Sequence, residues 1–283
     1  MKYFVVDAFT DTPFGGNLAG VVLVETEATF PSDELMVNIA AELRYSETAF
    51  VRQEAPTEFT VRYFTPRAEV DLCGHATIAT FGTLARQGIV PDGAMCMNHT
   101  RAGDLLVRAG QAVMMQMAPA TVIDRHVDVH RLHTIMCHDP QCPWPLWPVE
   151  VVSTGLPDII MPVADPAALN ALQPDMPGLA QLSRELGVTG VHAFALSQDT
   201  YTAHVRNFGP LYGIDEESAT GTANAALTHY LHRRGHIAPN AECRFLQGEA
   251  MGRPSVVATE LRPDGSIWVG GKCCIVASGQ LLD

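Results

Sequence analysis

Apolar residues follow two different patterns in different segments of the chain. Short segments alternate apolar and polar residues, which is typical of β-strands, and longer ones repeat apolar residues every three or four positions, which is typical of helices. Ser32 is a suitable N-cap for a helix whose apolar face reaches Leu43. The first half also predicts a helix near residues 75–87 and strands near 3–8, 19–24, 47–52, 58–64, 94–98, 103–109 and 112–118.

The second half carries the same kinds of segment in the same order. It predicts helices near residues 178–187 and 222–234, and strands near 149–153, 158–163, 191–196, 200–207, 242–246, 255–260 and 266–270. One strand, near residues 273–277, is left over, and we expect it to return to the first half of the chain.

An internal repeat explains this common order. Residues 61–66 (VRYFTP) return as residues 205–210 (VRNFGP), and an Ala-Phe pair returns with the same spacing of 144. Further along, the spacing becomes 147, with Gly74, Ala76, Leu84, Arg86 and Gly88 matching Gly221, Ala223, Leu231, Arg233 and Gly235. Several matching blocks in one order indicate a duplicated structural unit.

The repeat predicts an α+β fold with two pseudo-symmetric lobes. The helices near 75–87 and 222–234 contain mostly small or apolar residues, so each is expected to lie inside a curved mixed sheet. We expect an N-terminal lobe of residues 1–118 plus the final strand near 273–283, and a C-terminal lobe of residues 119–272.

Composition and charge narrow the class of protein. The chain has 283 residues, 47% hydrophobic and 17% charged, which is typical of folded globular proteins. Its net charge of -13 disfavours a nucleic-acid surface, which needs clustered Lys and Arg. No apolar run is long enough for a membrane helix, and the opening segment MKYFVVDAFT lacks the regions of a signal peptide. We therefore expect a cytoplasmic protein whose seven cysteines are reduced.

Both central helices begin with glycine, in the segments Cys73-Gly74-His75 and Thr220-Gly221-Thr222. The start of a helix offers unpaired N–H groups and the positive end of its dipole, which together can hold a carboxylate. A tight turn that leads into a buried helix is the simpler interpretation of either glycine alone. Their equivalent positions favour a site for a small carboxylate, in a cleft between the lobes.

Glu47 and His75 are the first candidates for proton transfer. Glu47 lies on an apolar strand face, where a carboxylate is either paired or has a raised pKa, although an exposed strand-end glutamate fits the segment equally well. His75 at its helix start is a structural donor or a general acid. Glu216 and Glu217, before the second helix, are ordinary partners of a helix dipole unless the site uses them.

The sequence gives less support to thiol catalysis, to a zinc site and to a nucleotide cofactor. Cys73 lies at a helix start, where a thiol can be activated, but the equivalent position holds Thr220, so a two-thiol racemase is disfavoured. A zinc site is disfavoured because its possible ligands match no standard spacing and some fit a solvated helix: His126, His130, His133, Cys137 and Cys142. No nucleotide-binding glycine motif occurs in the chain, so no nucleotide cofactor is expected.

Several motifs in order resemble the phenazine-biosynthesis (PhzF-like) family of isomerases. The matching segments are DAFT at 7–10, FGGNLAGV at 14–21, SETAF at 46–50, FTP at 64–66, LCGHAT at 72–77, residues 213–223, and QG and GRPS near the C-terminus. The resemblance implies a fold like that of diaminopimelate epimerase, a homodimer, and an isomerase without metal or cofactor. In the type enzyme a glutamate moves a proton along an allylic system of a dihydro-hydroxyanthranilate.

The resemblance also implies roles for particular residues. The family glutamate matches Glu47, its histidine matches His75, its aspartate matches Glu217 and its hydroxyl residue matches Thr222. Glu47, His75 and Glu217 are thus the catalytic candidates, and the candidates for substrate binding are Ser46, Cys73, Gly74, Gly221 and Thr222. The chain departs from the family where Leu18 replaces a proline and Glu217 an aspartate.

Three functions remain open on this basis. The first is a cofactor-independent isomerase that acts on a small carboxylate-bearing metabolite through Glu47. The second is a dehydratase or epimerase of a small amino or hydroxy acid that depends on Cys73, because the CGH segment also resembles a proline racemase motif. The third is a non-catalytic protein that binds a metabolite.

Overall fold

The chain folds into two compact units in a computed structural model that describes residues 1–27, 29–137, 147–197 and 199–281. The N-terminal unit comprises Met1–Gln116 with Gly270–Asp283, and the C-terminal unit comprises Met117–Val269. No helix in these described ranges is long and apolar enough to span a membrane.

The N-terminal unit contains the helices and strands of the first repeat. They are β1 (Lys2–Ala8), β2 (Asn17–Val24), α1 (Asp33–Leu43), β3 (Glu47–Ala55), β4 (Glu58–Phe64), β5 (Glu69–Val70), α2 (Gly74–Arg86), β6 (Met95–Thr100), β7 (Gly103–Arg108) and β8 (Ala112–Gln116). The predicted cap of α1 is confirmed, because the hydroxyl of Ser32 accepts a hydrogen bond from the backbone N–H of Leu35.

The C-terminal unit contains the second repeat and the join before it. Its elements are β9 (Thr121–Ile123), α3 (Val129–Met136), β10 (Glu150–Ser153), β11 (Pro157–Pro162), α4 (Pro166–Asn170), α5 (Met176–Leu186), β12 (Val191–Leu196), β13 (Ala203–Gly209), β14 (Ile214–Glu217), α6 (Gly221–Arg233), β15 (Glu242–Gln247), β16 (Ser255–Leu261) and the first residues of β17 (Ile267–Gln280), a strand that belongs to the N-terminal unit from Gly270 onward. Short 3₁₀ helices lie at Pro210–Tyr212 and Glu249–Met251.

Strand pairing confirms the repeat. In the first copy, β2 runs parallel to β3, β3 antiparallel to β4, β4 parallel to β6, and β6 antiparallel to β7. In the second copy the same relations join β11 to β12, β12 to β13, β13 to β15, and β15 to β16. The α+β architecture of two similar units therefore follows from one duplicated pattern.

The two repeat helices are buried, as predicted. Every residue of α2 from His75 to Leu84 is buried, and the helix contacts β1, β2, β3 and β8. Three threonines of α2 donate their hydroxyls to the carbonyl four residues earlier, which satisfies polar atoms inside the core. In the second unit, α6 contacts β10, β11, β12 and β16.

The last strand is longer than predicted. β17 is one continuous strand, and its residues Cys273–Gln280 pair antiparallel with β1. Helix α2 passes close to this strand, because a Cβ atom at Gly82 would overlap Sγ of Cys273. Gly82 therefore allows α2 to lie against the strand.

The join between the repeats contains more structure than its composition predicts. His130 and His133 lie on α3, His130 is exposed and His133 is buried. The expectation of reduced thiols is wrong for Cys137, which is disulfide-bonded, and holds for five free cysteines: Cys73, Cys96, Cys243, Cys273 and Cys274. A disulfide-bonded Cys137 has no thiolate to offer a metal, and the remaining zinc candidate, Cys142, lies outside the described residues.

Candidate active site

Five of the predicted site residues lie in the N-terminal unit, at the start of α2 and the start of β3: Ser46, Glu47, Cys73, Gly74 and His75. Glu47 is the first residue of β3 and lies opposite Ala19 of β2 in the parallel register. Helix α1 ends at Leu43, and its C-cap residue Arg44 adopts a left-handed conformation that turns the chain toward Ser46 and β3. Because α2 packs against β2 and β3, its first turn is held beside Glu47.

The side chains at this point lie within hydrogen-bonding distance of one another. Oε2 of Glu47 is 3.1 Å from Nε2 of His75, and Oγ of Ser46 is 3.3 Å from the same nitrogen. Sγ of Cys73 is 3.4 Å from Nδ1 and 3.7 Å from Nε2 of His75. The prediction that Glu47 and His75 lie close together is confirmed.

Burial and charge set the protonation of this group. The side chain of Glu47 is 18% exposed and that of His75 is 7% exposed. Burial acts against the charge of Glu47, but the neighbouring imidazole of His75 outweighs it and lowers the carboxyl pKa. Burial likewise opposes the charge of His75, yet Cys73 and Glu47 hold its pKa well above 6.5. Glu47 is therefore a carboxylate beside an imidazolium at neutral pH.

The first turn of α2 is not capped by the residue before it. Cys73 occupies the N-cap with an extended backbone, and its side chain makes no capping hydrogen bond. Burial raises the pKa of the Cys73 thiol, although the nearby His75 acts in the opposite direction. The thiol is therefore protonated at neutral pH, and a protonated thiol cannot accept a proton from a substrate.

Ligand spacing along the chain does not predict a metal at this site, but the fold brings three possible ligand side chains together. One sulfur, one nitrogen and one oxygen atom from Cys73, His75 and Glu47 all lie within 4.8 Å of one another. The sequence does not reveal this group because its members come from a strand and a helix start that are far apart along the chain.

The C-terminal unit holds a second polar group at the start of α6. Oε2 of Glu217 accepts a hydrogen bond of 2.7 Å from the hydroxyl of Thr220. The side-chain amide of Gln247 donates to this hydroxyl and to the carbonyl of Glu217, and its oxygen accepts from the N–H of Thr220. Gln247 thus fixes both Glu217 and the turn that leads to Gly221 and Thr222.

Glu216 and Glu217 have different surroundings despite being neighbours. Glu216 forms a two-pronged ion pair with Arg206, with both N–O distances at 2.8 Å. Arg206 also donates to the carbonyls of Leu169 and Leu172. Glu216 therefore stabilises the folded C-terminal unit, whereas Glu217 belongs to the polar group at the start of α6.

A buried polar cluster beneath α6 was not predicted from the sequence. Asp158 is only 2% exposed, and burial together with the charge of Glu217 raises its pKa to about 7. Burial lowers the pKa of His192 to about 3, so its neutral ring lies between the side chains of Asn207 and Asn224, 3.3 Å from each. Asn224 also donates to Gln247. Single polar residues on apolar strands gave no signal, although the motif containing Gln247 was visible.

Comparison with known proteins gives the family. The family model described as "Phenazine biosynthesis-like protein" matches residues 6–279. A Deinococcus radiodurans protein named "Uncharacterized isomerase" is 35% identical, over 98% of this chain and 94% of its own length. A human protein named "Phenazine biosynthesis-like domain-containing protein" is 28% identical, over 99% of both chains.

Solved structures agree with this assignment. The Bacillus anthracis phenazine biosynthesis protein of the PhzF family superposes with a TM-score of 0.89 at 25% identity, covering 100% of this chain and 99% of that one. A probable proline racemase from Agrobacterium radiobacter shares the fold, with a TM-score of 0.63 at 13% identity over 99% of this chain and 92% of that one. The chain therefore belongs to the PhzC-PhzF family of phenazine biosynthesis-like proteins and is an isomerase of that family.

Proposed function

We propose that this isomerase moves a proton between two carbon atoms of a small carboxylate-bearing metabolite, with Glu47 as the residue that removes and returns the proton. The observation that carries the proposal is the contact of 3.1 Å between Glu47 and His75, because it keeps a partly accessible carboxylate ionised beside a positive charge. A positioned acid–base group of this kind contributes roughly 10²- to 10⁴-fold to a rate.

The reaction needs no oxidant and no group transfer. Glu47 takes a proton from a carbon next to a double bond, and the C–H electron pair moves into the π system. The protonated Glu47 then returns a proton to the far end of that system, so the double bond shifts and the carboxylate is regenerated. His75 stays protonated and stabilises whichever neighbouring group carries the negative charge.

Substrate binding is proposed for the other predicted residues. Neither Cys73 nor Thr220 caps its helix with a side chain, so the first turns of α2 and α6 retain backbone N–H donors suited to a carboxylate. Gly74, Gly221 and Thr222 lie in these first turns, and Oγ of Ser46 lies 3.3 Å from Nε2 of His75 in the first turn of α2. Glu217 is proposed to bind a donor group of the substrate.

The alternative is a dehydratase or epimerase that depends on Cys73, and the contact of its thiol with His75 supports it. Sγ of Cys73 lies 3.4 Å from Nδ1 of His75, a distance at which an imidazole can receive a thiol proton. Two properties favour Glu47 instead. Cys73 is only 7% exposed, and burial raises the pKa of its thiol. The interpretation as a non-catalytic binding protein is set aside by the family assignment.

The test is a screen of unsaturated cyclic and acyclic carboxylates in D₂O, followed by proton NMR. NMR detects the shifted double bond even if Glu47 returns the same proton without exchange. The enzyme is dialysed against a chelator and assayed without added cofactor, and a parallel sample is treated with iodoacetamide. We expect isomer formation in the chelated sample. Turnover that requires an added metal or cofactor would contradict the proposal, and turnover that survives labelling of Cys73 would exclude the thiol as the base.

A further inference from the structure

Glu47, Cys73 and His75 bring three possible metal-ligand atoms close together. Nε2 of His75 is 3.1 Å from Oε2 of Glu47 and 3.7 Å from Sγ of Cys73. Three different ligand types converge: a thiol, an imidazole and a carboxylate. Within the part of the chain that the structure describes, no second set of His, Cys, Asp and Glu side chains converges in this way.

These separations match the edges of a metal tetrahedron. With zinc bonds of about 2.0–2.1 Å to nitrogen or oxygen and about 2.3 Å to sulfur, tetrahedral angles place nitrogen and oxygen ligands about 3.4 Å apart and nitrogen and sulfur ligands about 3.6 Å apart. The two measured distances lie close to these values. Sγ of Cys73 lies closer to Nδ1 of His75, at 3.4 Å, than to Nε2, so a cation bound at Nε2 requires the thiol or the imidazole ring to turn toward it.

The carboxylate provides a second, independent observation. Oε2 of Glu47 is buried and lies 3.1 Å from Nε2 of His75, but it accepts no aligned hydrogen bond. This oxygen is paired with the imidazolium but lacks an aligned donor, so a cation can provide a further contact. Oγ of Ser46, 3.3 Å from Nε2 of His75, or a water molecule can complete a fourth position. A sulfur ligand favours Zn²⁺ and Co²⁺ over Mg²⁺ and Ca²⁺.

We propose that Glu47, Cys73 and His75 form a binding site for a thiophilic divalent cation such as Zn²⁺, and that the bound cation inhibits the isomerase. On binding, the Cys73 S–H bond breaks, the proton leaves to solvent and a metal–sulfur bond forms. Inhibition follows because the metal occupies the carboxylate that must accept the substrate proton. This second part rests on the proposed function, whereas the binding site does not.

Cobalt provides a direct spectroscopic test that needs no substrate. Chelator-treated protein is titrated with Co²⁺, and the thiolate-to-metal charge-transfer absorption is recorded and then displaced with Zn²⁺. The wild type and Cys96→Ser, which removes another buried free cysteine of the same unit, should both give the band with one Co²⁺ per chain. Cys73→Ser should abolish it, and its affinity for Zn²⁺ should fall by at least 10- to 100-fold, the typical cost of losing even an outer-shell partner.

The outcomes separate the two parts of the proposal. Equal spectra for the wild type and Cys73→Ser would overturn the metal site, whatever the enzyme's reaction. Glu47→Gln should weaken Zn²⁺ binding without abolishing the thiolate band, and binding unchanged in that variant would also count against the site. A band at Cys73 with turnover unaffected at saturating Zn²⁺ would support the metal site but overturn the inhibition and, with it, the role of Glu47. A band together with inhibition reversed by chelator is the expected result.

Discussion

Nε2 of His75 lies 3.1 Å from Oε2 of Glu47, which joins the first turn of α2 to the first residue of β3. The helix is buried from His75 to Leu84, so the position of His75 is fixed by the core and not by a mobile loop. A proton-transfer group on such rigid elements keeps its geometry through the reaction.

The first prediction separates Glu47 from Cys73 as the base. Glu47→Gln keeps the shape of the side chain and removes its titrating group, so turnover should fall by roughly 10²- to 10⁴-fold while ligand binding persists. Cys73→Ser should cost much less, because the buried thiol is protonated. Steady-state kinetics and ligand-induced thermal shifts on both variants provide the measurement.

The opposite ranking would identify Cys73 as the base. A Glu47→Gln variant that retained more than about a tenth of wild-type turnover would fall far short of the loss expected for a general base. Cys96→Ser is the matched control for Cys73→Ser, because both residues are buried free cysteines of the N-terminal unit.

The second prediction concerns the pH dependence of kcat/KM. Since the pKa of Glu47 is lowered, activity should persist below pH 4.5 and fall only as the pH drops through that lowered value. Since the pKa of His75 is raised, activity should persist well above pH 6.5 and fall as the pH rises through the raised value. His75→Asn should remove the alkaline limb.

A thiolate base would give a different profile. The pKa of Cys73 is raised from 9.0, so activity that increased continuously toward and beyond that pH would indicate catalysis by Cys73. Circular dichroism at each pH separates loss of activity from unfolding at the acidic end.

The comparison of Glu47 with Asp158 shows how far the sequence alone leads. Glu47 stands in a motif on an apolar strand, and the motif led to the correct expectation that it lies near His75. Asp158 also stands on a buried strand, but its role depends on Glu217, which approaches only through the fold. The possible metal ligands were missed for the same reason, because ligand spacing along the chain detects only ligands from nearby segments.

Local structure was predicted best where a periodic pattern was long. The helices α1, α2, α5 and α6 follow the apolar repeat within two or three residues. The short elements β5, β9 and α4 have five residues or fewer and were not predicted, because no periodicity is visible over such a length. The continuity of β17 depends on pairing with β1, which is a contact between distant segments.

The third prediction uses the neighbouring glutamates as a matched pair. Glu216→Ala leaves Arg206 without its carboxylate, and stability should fall toward the low end of roughly 3–5 kcal/mol, since both side chains keep some contact with solvent. Glu217→Ala should cost less stability and should raise KM, because Glu217 is proposed to bind substrate. Urea unfolding and kinetics on both variants test this. A normal KM for Glu217→Ala would remove it from the site.

The fourth prediction is that the protein is a homodimer, which rests on the family resemblance. Light scattering at micromolar concentration should give twice the chain mass of 30.6 kDa. A mass near that of one chain would show this expectation to be wrong without affecting the proposed chemistry.

The last prediction concerns Asp158 and the stability of the C-terminal unit. Burial and the charge of Glu217 raise its pKa from 3.8 to about 7, so the folded protein holds a proton that the unfolded chain releases between these values. The contribution of protonated Asp158 to the free energy of unfolding is therefore largest below pH 3.8, and it decreases as the pH rises toward 7. The loss should reach at most about 4 kcal/mol, the free energy of holding one proton across roughly three pH units.

Asp158→Asn tests this sign directly, because the amide cannot ionise. Relative to the wild type, the variant should gain stability as the pH rises from 4 to 8, and urea unfolding across that range measures the difference. Asp215→Asn, at an exposed position of the same unit, should show no such trend. The opposite outcome is that the unfolding free energies of the wild type and Asp158→Asn run parallel over this range. That outcome would show that Asp158 keeps its charge in the folded protein. Its unpartnered Oδ1 would then need a cation or an ordered water to compensate it.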